Sequence, residues 1–341
     1  MRIALIAPYS SGPMRGNIIT VQRIARFLDH AGVATVTLAV DNFSITGMQR
    51  DLAEFKPDLI HGFHAHYSGA IARELAEQLQ IPYLLTITGS DLQEAKQRNH
   101  PDTLRAIESA KVIVCFHDSD AGRLTGFFPV LHGKVAVVPQ GVEPLPIVEG
   151  TDFGIDNDAF VLLLPAALRP VKNVEFPIKP LSKLVPSDQK LQLVIAGGVI
   201  DNDYAAYIRN MVNDTTFATW LGEVPHELMG SLYERADLVL NCSHSESMPN
   251  SLMEAMAIGR PVLAADIPGN RSLIKKGING LLYVGEDDFR QQVIQIMENE
   301  ILREKLGRNA KEYIRTHFPP EQETDRYLSV YRKLIVAKSW D

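Results

Sequence analysis

The sequence predicts an α/β protein made of two doubly wound domains, each with a parallel sheet. Short apolar runs alternate with amphipathic stretches along the chain, beginning with a run at 3–7 and a stretch at 18–30. Strands that are apolar throughout are typical of a parallel sheet with helices on both faces. The pattern restarts after a segment rich in proline and glycine at 138–158, which predicts a linker. The length of 341 residues also fits two domains.

The first domain, 1–150, is predicted to alternate strands with helices. Each strand corresponds to an apolar run, and each helix to a stretch whose apolar residues recur every three or four positions. The predicted strands are 3–7, 35–39, 59–61, 83–88, 112–115 and 135–138. The predicted helices are 18–30, 49–55, 70–79, 104–110 and 119–127.

The second domain, 151–318, repeats the alternation. Its predicted strands are 160–166, 191–196, 219–221, 238–241, 262–265 and 280–283. Its predicted helices are 174–184, 203–213, 226–234, 250–258, 287–299 and 302–318. A last amphipathic helix is expected at 321–338.

The loops that follow strands are the expected location of function. In open α/β sheets, ligands bind beyond the carboxyl ends of the strands, near the point where the strand order reverses. Two such sheets facing one another would form a cleft lined by these loops.

Charge and cysteine content exclude several classes of protein. The net charge of −7 argues against a nucleic-acid partner. Neither half of the chain is basic, so nothing supports membrane association, although a local basic patch is left open. Cys115 and Cys242 lie in apolar runs and are expected to be small buried residues. Two cysteines cannot form a disulfide framework, and a cytoplasmic protein is expected.

A strand, a polar loop and a helix follow one another between 238 and 258. Asn250 is expected to cap the helix and Gly259 to end it, which places Glu246 in the loop and Glu254 about one turn into the helix. Free amides at a helix N-terminus favour a diphosphate, and two carboxylates beside it are explained if they bind hydroxyl groups. A capped surface helix with two incidental acids is an equally good interpretation of this spacing.

Two cations follow the predicted strand 160–166. Arg169 and Lys172 lie at its carboxyl end, where they could neutralise a departing diphosphate. A solvated basic turn is the alternative.

Arg169 and Lys172 followed by Glu246-x7-Glu254 resemble the retaining GT-B glycosyltransferases of family 4. The resemblance is dense over 160–315 and looser but collinear over 1–150. Segments such as Leu168-Arg-Pro-Val-Lys172 are most similar to the glycosyltransferase-1-domain-containing subgroup. Further matching segments are Ile195-Ala-Gly-Gly198, Trp220-Leu-Gly-Glu-Val-Pro225, Ile267-Pro-Gly-Asn270 and Gly277-Ile-Asn-Gly280.

The resemblance implies a role for each matching residue. Arg169 and Lys172 would hold the donor diphosphate, Glu246 would contact hydroxyl groups of the donor sugar, and Glu254 would bind the nucleotide ribose. The loop 221–225 would border the base. Other implied donor-binding residues are Ser247, Met248, Pro249, Asn250, Gly222, Glu223, Val224 and Gly198.

The resemblance also implies the reaction. A hexosyl group would pass, with retention, from a UDP-sugar or GDP-sugar to a small-molecule, glycan or lipid-linked acceptor. No metal and no other cofactor is expected, because cationic side chains and the helix terminus replace the metal. The last helix, 321–338, would pack back on the first domain.

The first domain would supply the acceptor side of the cleft. One candidate loop follows the first strand and contains Gly12, Arg15, Gly16 and Asn17. The other contains Thr88, Gly89 and Asp91; Asp91 would serve equally as a helix cap, and many family members have a histidine where Thr88 stands. His61, His64 and His66 are expected in a polar strand-end loop rather than a zinc site, with His64 lining the cleft.

The sequence is compatible with two alternatives. A nucleotide-sugar epimerase shares the architecture and needs no acceptor. A non-catalytic sugar-nucleotide-binding protein would keep the fold without turnover, and the departure at Thr88 bears on it. A nicotinamide dehydrogenase and a P-loop enzyme are disfavoured, because the glycine patterns of both are absent from the sequence.

Overall fold

Two compact units make up the chain, as a computed structural model shows for residues 1–10, 16–184 and 190–337. The first unit is Met1–Gly141 together with the segment that begins at Pro320, and the second is Val142–Pro319. Each unit contains one six-stranded sheet in which neighbouring strands pair in parallel. The predicted α/β class with two doubly wound parallel sheets is therefore confirmed.

The first sheet has the strand order β2-β1-β3-β4-β5-β6. Its strands are β1 (Arg2–Ala7), β2 (Ala34–Ala39), β3 (Leu59–Phe63), β4 (Tyr83–Thr86), β5 (Val112–Cys115) and β6 (Val135–Val137). Its helices are α1 (Gly16–His30), α2 (Ile45–Phe55), α3 (Gly69–Leu79), α4 (Ser90–Gln93), α5 (Ala95–Arg98), α6 (Pro101–Ser109) and α7 (Asp118–Phe127). The last helix of the chain, Pro320–Ala337, also belongs to this unit.

Strand β1 is buried on both faces of this sheet. Ala4 and Ile6 belong to the core cluster on one face, whereas Ile3 and Leu5 belong to the cluster on the other. The second cluster includes Tyr327 and Tyr331 of the last helix. This helix therefore completes the core of the first unit.

Polar contacts also hold the last helix. Arg23 of α1 forms a buried ion pair with Glu323, with 2.9 Å between Nε and Oε2. His61 lies within β3 and is fully buried, so the expectation that it belongs to a strand-end loop was wrong. One of its ring nitrogens is 2.7 Å from the Tyr331 hydroxyl and the other is 2.7 Å from Thr86 Oγ1. Burial lowers the pKa of His61 to about 3, so this histidine is neutral at physiological pH.

The second sheet has the order β12-β11-β10-β7-β8-β9. Its strands are β7 (Phe160–Pro165), β8 (Leu191–Ala196), β9 (Ala218–Trp220), β10 (Leu238–Asn241), β11 (Val262–Ala265) and β12 (Leu281–Tyr283). Its helices are α8 (Ile178–Ser182), α9 (Asn202–Asn213), α10 (His226–Arg235), α11 (Asn250–Ile258), α12 (Pro268–Arg271), α13 (Gly285–Glu298) and α14 (Glu300–His317). The strand order reverses between β7 and β10.

The helix predicted at 174–184 is shorter than expected. Residues Pro170–Lys172 form a 3₁₀ turn, Asn173 is left-handed with φ of 50°, and α8 begins only after Pro177. A proline disfavours helical geometry in the residue before it, so Pro177 opposes a helix that runs through Phe176. The four-residue helices α4, α5 and α12 were not predicted, because so short a segment has no periodicity to detect. Within the described residues, no helix combines the length and apolar character needed to cross a membrane.

Candidate active site

Lys172 and Glu246 meet at the point where the order of the second sheet reverses. Their loops follow β7 and β10, which are neighbours in the sheet, so the carboxyl ends of the two strands share one edge. Lys172 Nζ lies 2.6 Å from Glu246 Oε1, and the two side chains are only 19% and 12% exposed. The loops are also joined by a hydrogen bond from the His244 amide to the Val171 carbonyl, at 2.9 Å. The structure therefore brings these two sequence-predicted residues together.

The Glu246 carboxylate is held by polar neighbours on one oxygen. Ser243 Oγ donates to Oε1 at 2.7 Å, and Asn241 Nδ2 donates to the same oxygen at 3.3 Å. Burial alone would raise the pKa of Glu246, but the Lys172 charge and these hydrogen bonds outweigh burial and lower that pKa. Glu246 is therefore ionised at neutral pH. None of the three contacts reaches Oε2, which suits this oxygen to accept a ligand hydroxyl.

The segment Ile267-Pro-Gly-Asn270 packs against the backbone of the Glu246 loop. A Cβ atom on Gly269 would lie 2.3 Å from the Glu246 carbonyl oxygen, so only glycine allows this approach. Asn270 is fully buried and donates to Asn241 Oδ1 at 3.2 Å. Asn241, Ser243 and Asn270 were missed as site residues by sequence reasoning. The resemblance already included the segment Ile267-Pro-Gly-Asn270, and its position after β11, at the same sheet edge, could have indicated its part in the site.

Arg169 differs from Lys172 in its surroundings. It precedes the 3₁₀ turn and is partly exposed, and it forms no ion pair with any residue that the structure describes. A contact between Arg169 and a diphosphate therefore stays a prediction.

Helix α11 begins at Asn250, with Pro249 as its capping residue. The expectation that Asn250 caps the helix was wrong, because Asn250 already has helical geometry. Pro249 has no side-chain group that could accept a hydrogen bond from the first-turn amides. Ser247 and Met248, just before the helix, are buried, and Gly259 ends it with φ of 94°.

Glu254 lies in α11 and is 5% exposed. His226 Nε2 lies 2.9 Å from Oε1, and the Tyr233 hydroxyl donates to Oε2 at 2.9 Å. The hydrogen bond to Glu254 raises the pKa of His226. Sequence reasoning missed His226 and Tyr233 as partners of Glu254, although their seven-residue spacing places both on one face of α10.

Glycines allow the loops after β7, β8 and β9 to pack closely. A Cβ atom on Gly197 would lie 2.0 Å from the Ala166 carbonyl oxygen. The Gly197 amide donates to the carbonyl of Gly222, which has φ of 77°, at 2.7 Å, and the Leu168 amide donates to the Gly198 carbonyl at 2.8 Å. The predicted donor-binding residues Gly198, Gly222, Glu223 and Val224 therefore lie in loops after β8 and β9, at the edge that holds Lys172.

In the first unit, Asp91 joins two strand-end loops. Its fully buried carboxylate accepts hydrogen bonds from the amides of Ala65 at 2.8 Å, Thr88 at 3.1 Å and Gly89 at 2.9 Å. Asp91 lies inside α4, whose capping residue is Gly89, so Asp91 is not the helix cap. His64 is left-handed with φ of 70°, and its Nε2 lies 2.9 Å from Ser90 Oγ.

The other predicted loop of the first unit is only partly described. Gly12 and Arg15 lie outside the described residues. Gly16 and Asn17 belong to α1, so the expectation that they form a loop was wrong. The first amides of a helix have no partner within it, so glycine is tolerated at this position. No group of three or more histidine, cysteine or acidic side chains is placed to hold a metal within 1–10, 16–184 and 190–337.

Comparisons with known proteins agree with this arrangement. The family model of glycosyl transferases group 1 matches residues 151–313, and that of glycosyltransferase family 4 matches residues 4–144. Glycosyltransferase 1 domain-containing protein 1 of Xenopus tropicalis is 26% identical over 273 residues, covering 75% of this chain and 78% of that protein. The D-inositol 3-phosphate glycosyltransferase of Actinosynnema mirum is 27% identical over 315 residues, covering 84% and 75%.

Similarity to a solved structure extends over both units. Anabaena HepE in complex with UDP and glucose has a TM-score of 0.80 and 16% identity, with 98% of this chain and 100% of that chain covered. The resemblance predicted from the Arg169, Lys172, Glu246 and Glu254 pattern is therefore confirmed. The chain belongs to the group 1 glycosyltransferases of family 4, and its two six-stranded parallel sheets are those of the GT-B fold.

Proposed function

We propose that this glycosyltransferase moves a hexosyl group from a nucleoside-diphosphate sugar to an acceptor, with retention and without a metal. The single observation that supports this most strongly is the buried Lys172–Glu246 pair at the sheet reversal. An ionised carboxylate that accepts sugar hydroxyls and a cation that meets the leaving phosphate are the two groups the reaction requires.

The transfer begins as the bond between the anomeric carbon and the phosphate oxygen breaks. Positive charge develops on the sugar and negative charge on the departing diphosphate. Lys172, Arg169 and the first amides of α11 stabilise the diphosphate, while Glu246 Oε2 accepts a sugar hydroxyl. The acceptor oxygen attacks the anomeric carbon from the side of the leaving group and passes its proton to the leaving phosphate. No side-chain nucleophile is needed, and the anomeric configuration is retained.

The names of the relatives favour transfer over the alternatives. The Actinosynnema mirum relative is named as a glycosyltransferase, and HepE was solved with UDP and glucose. We therefore propose a UDP-sugar as the first donor to test, with a GDP-sugar second. The acceptor is proposed to be a small molecule, a glycan or a lipid-linked saccharide.

A thermal-shift panel with UDP, GDP, ADP and their common sugars, with and without EDTA, tests the donor. A ligand at 100 times its Kd should add about 2.7 kcal/mol of stability. We expect a shift with one nucleotide family that EDTA does not change. A shift that EDTA abolishes would contradict metal independence, and the absence of any shift would contradict the nucleotide-sugar proposal.

Turnover separates the three functions that share this fold. Donor consumption that rises when an acceptor mixture is added indicates transfer. A 2-epimer formed without acceptor would show an epimerase, and donor binding without consumption would show a non-catalytic protein.

Glu254→Ala should weaken nucleotide diphosphate binding about 10-fold or more, because the buried carboxylate is the proposed partner of the ribose hydroxyls. Isothermal titration with UDP and GDP measures the change. Glu298→Ala, at the end of α13, is the matched control and should bind like the wild type. An unchanged affinity of the Glu254 variant would refute the ribose role.

A further inference from the structure

Two residues of α10, His226 and Tyr233, each form a hydrogen bond with a different carboxylate oxygen of Glu254. His226 and Tyr233 are seven residues apart, which is close to two helical turns, so both side chains leave α10 on the same face. His226 reaches Oε1 and Tyr233 reaches Oε2, each at 2.9 Å. The carboxylate therefore cannot rotate without breaking one of the two hydrogen bonds.

With these two hydrogen bonds formed, each oxygen of Glu254 can still accept another hydrogen bond. A carboxylate has about four lone-pair directions, two on each oxygen, and His226 and Tyr233 occupy one on each. The remaining pair lies in a fixed plane and matches two neighbouring hydroxyl groups that donate side by side. A ribose presents such a pair at its 2′ and 3′ positions, whereas a 2′-deoxyribose presents only one hydroxyl.

We propose that His226 is a positioning residue that, with Tyr233, orients Glu254 to select the vicinal diol of a ribonucleotide over a 2′-deoxyribonucleotide. The inference rests on the proposed function, since it requires Glu254 to face the ribose. It adds a determinant of nucleotide specificity that acts through Glu254 and does not itself touch the sugar.

The protonation states of the groups involved support this role. Burial and the nearby Glu254 carboxylate raise the pKa of Tyr233 well above its ordinary value, so at neutral pH the phenol is protonated and donates. The hydrogen bond to Glu254 raises the pKa of His226, burial opposes this, and the charges of Glu254 and Glu227 add to the increase. The protonated imidazole therefore holds Glu254 most strongly below its raised pKa. As the pH rises through that pKa, the hydrogen bond loses its charge.

The test compares UDP with 2′-deoxy-UDP, and GDP with 2′-deoxy-GDP, by isothermal titration. The wild type should bind the preferred ribonucleotide at least 10-fold more tightly than its 2′-deoxy form. His226→Ala should bring that ratio close to one, mainly by weakening the ribonucleotide. His226→Gln, which keeps a nitrogen donor, should retain most of the ratio, and the ratio in the wild type should fall as the pH rises through the pKa of His226.

Control variants separate positioning from general damage to the fold. His317→Ala removes an exposed histidine of α14 whose ring lies 2.9 Å from the Tyr313 carbonyl of the same helix, and it should leave the ratio unchanged. Tyr233→Phe removes the other donor and should lower the ratio as His226→Ala does. Circular dichroism and Tm identify variants that fail to fold. If His226→Ala is among them, the pH dependence of the wild-type ratio and the effect of Tyr233→Phe decide the question.

The outcomes distinguish this inference from the proposed function. If the wild type binds none of the four nucleotides, the proposed function fails and the inference fails with it. If the wild type binds them and prefers the ribose form, but His226→Ala keeps the same preference, only the inference is overturned. Equal affinity of the wild type for both sugar forms also overturns the inference, while donor binding stands.

Discussion

Replacing Lys172 by alanine should lower kcat about 100-fold or more, while the Kd for the intact nucleotide-sugar donor changes far less. An ammonium group contributes most when negative charge develops on the departing diphosphate, so its loss raises the transition state more than the bound ground state. Steady-state kinetics with saturating donor measures kcat, and titration of the intact nucleotide sugar without acceptor measures the Kd of the donor. Equal losses in kcat and binding affinity would instead indicate uniform binding.

Loss of Lys172 also affects its partner Glu246, and two further variants separate the two effects. Without Lys172, burial dominates and the pKa of Glu246 rises, so part of the loss could come from a protonated Glu246. Lys172→Arg keeps the charge and should retain more activity than Lys172→Ala. In a cycle with Glu246→Gln, a double variant no worse than Lys172→Ala would show that the pair acts as a unit.

The pair also predicts how stability depends on pH. In the wild type the pKa of Glu246 is lowered, so its contribution to stability is present above the unfolded pKa and is lost as pH falls through the folded pKa. In Lys172→Ala the folded pKa is raised, and ionising the buried carboxylate becomes costly. The difference in Tm between the two proteins should therefore grow from pH 4 to pH 7, and a constant difference would contradict the ion pair.

Continuous apolar runs predicted the strands, because a strand at the centre of a parallel sheet carries apolar side chains on both faces. Strand β1, for example, alternates between two core clusters, which makes 3–7 apolar throughout. Lys172 and Glu246 could each be predicted as site residues, since both follow strands and their spacing resembles that of a known family. Sequence spacing alone could not show that the two loops adjoin, because this depends on β7 and β10 being neighbours.

The parts of the site that were missed depend on contacts between distant segments. Gly269 is required by the backbone of Glu246, and no local pattern in the sequence states that requirement. In the sequence, His226 and Tyr233 look like ordinary polar and buried residues of an amphipathic helix. Only the packing of α11 against α10 shows that both contact Glu254. Asn250 was misplaced by one residue because asparagine favours the cap in general, whereas here Pro249 occupies it.

Removing Glu323 should destabilise the protein as much as any single change away from the active site. Glu323→Ala leaves the Arg23 guanidinium buried without its counter-charge, and breaking such a pair costs about 3–5 kcal/mol. Arg23 reaches both oxygens of Glu323, at 2.9 Å from Nε and 3.1 Å from Nη2, so glutamine cannot replace the interaction fully. We expect a Tm lower by about 6 °C or more, measured by calorimetry.

A matched pair on the same unit provides the control. Arg73 and Glu77 of α3 form an ion pair at 2.7 Å, but the Glu77 side chain is 58% exposed. Glu77→Ala should therefore cost about 0.5 kcal/mol or less. Limited proteolysis adds a local measurement, since the buried ion pair joins α1 to the last helix, and its loss should expose that helix to cleavage before the rest of the unit. If both variants lose the same small amount of stability and the last helix stays protected, then the core contacts of Tyr327 and Tyr331 hold the helix without the ion pair.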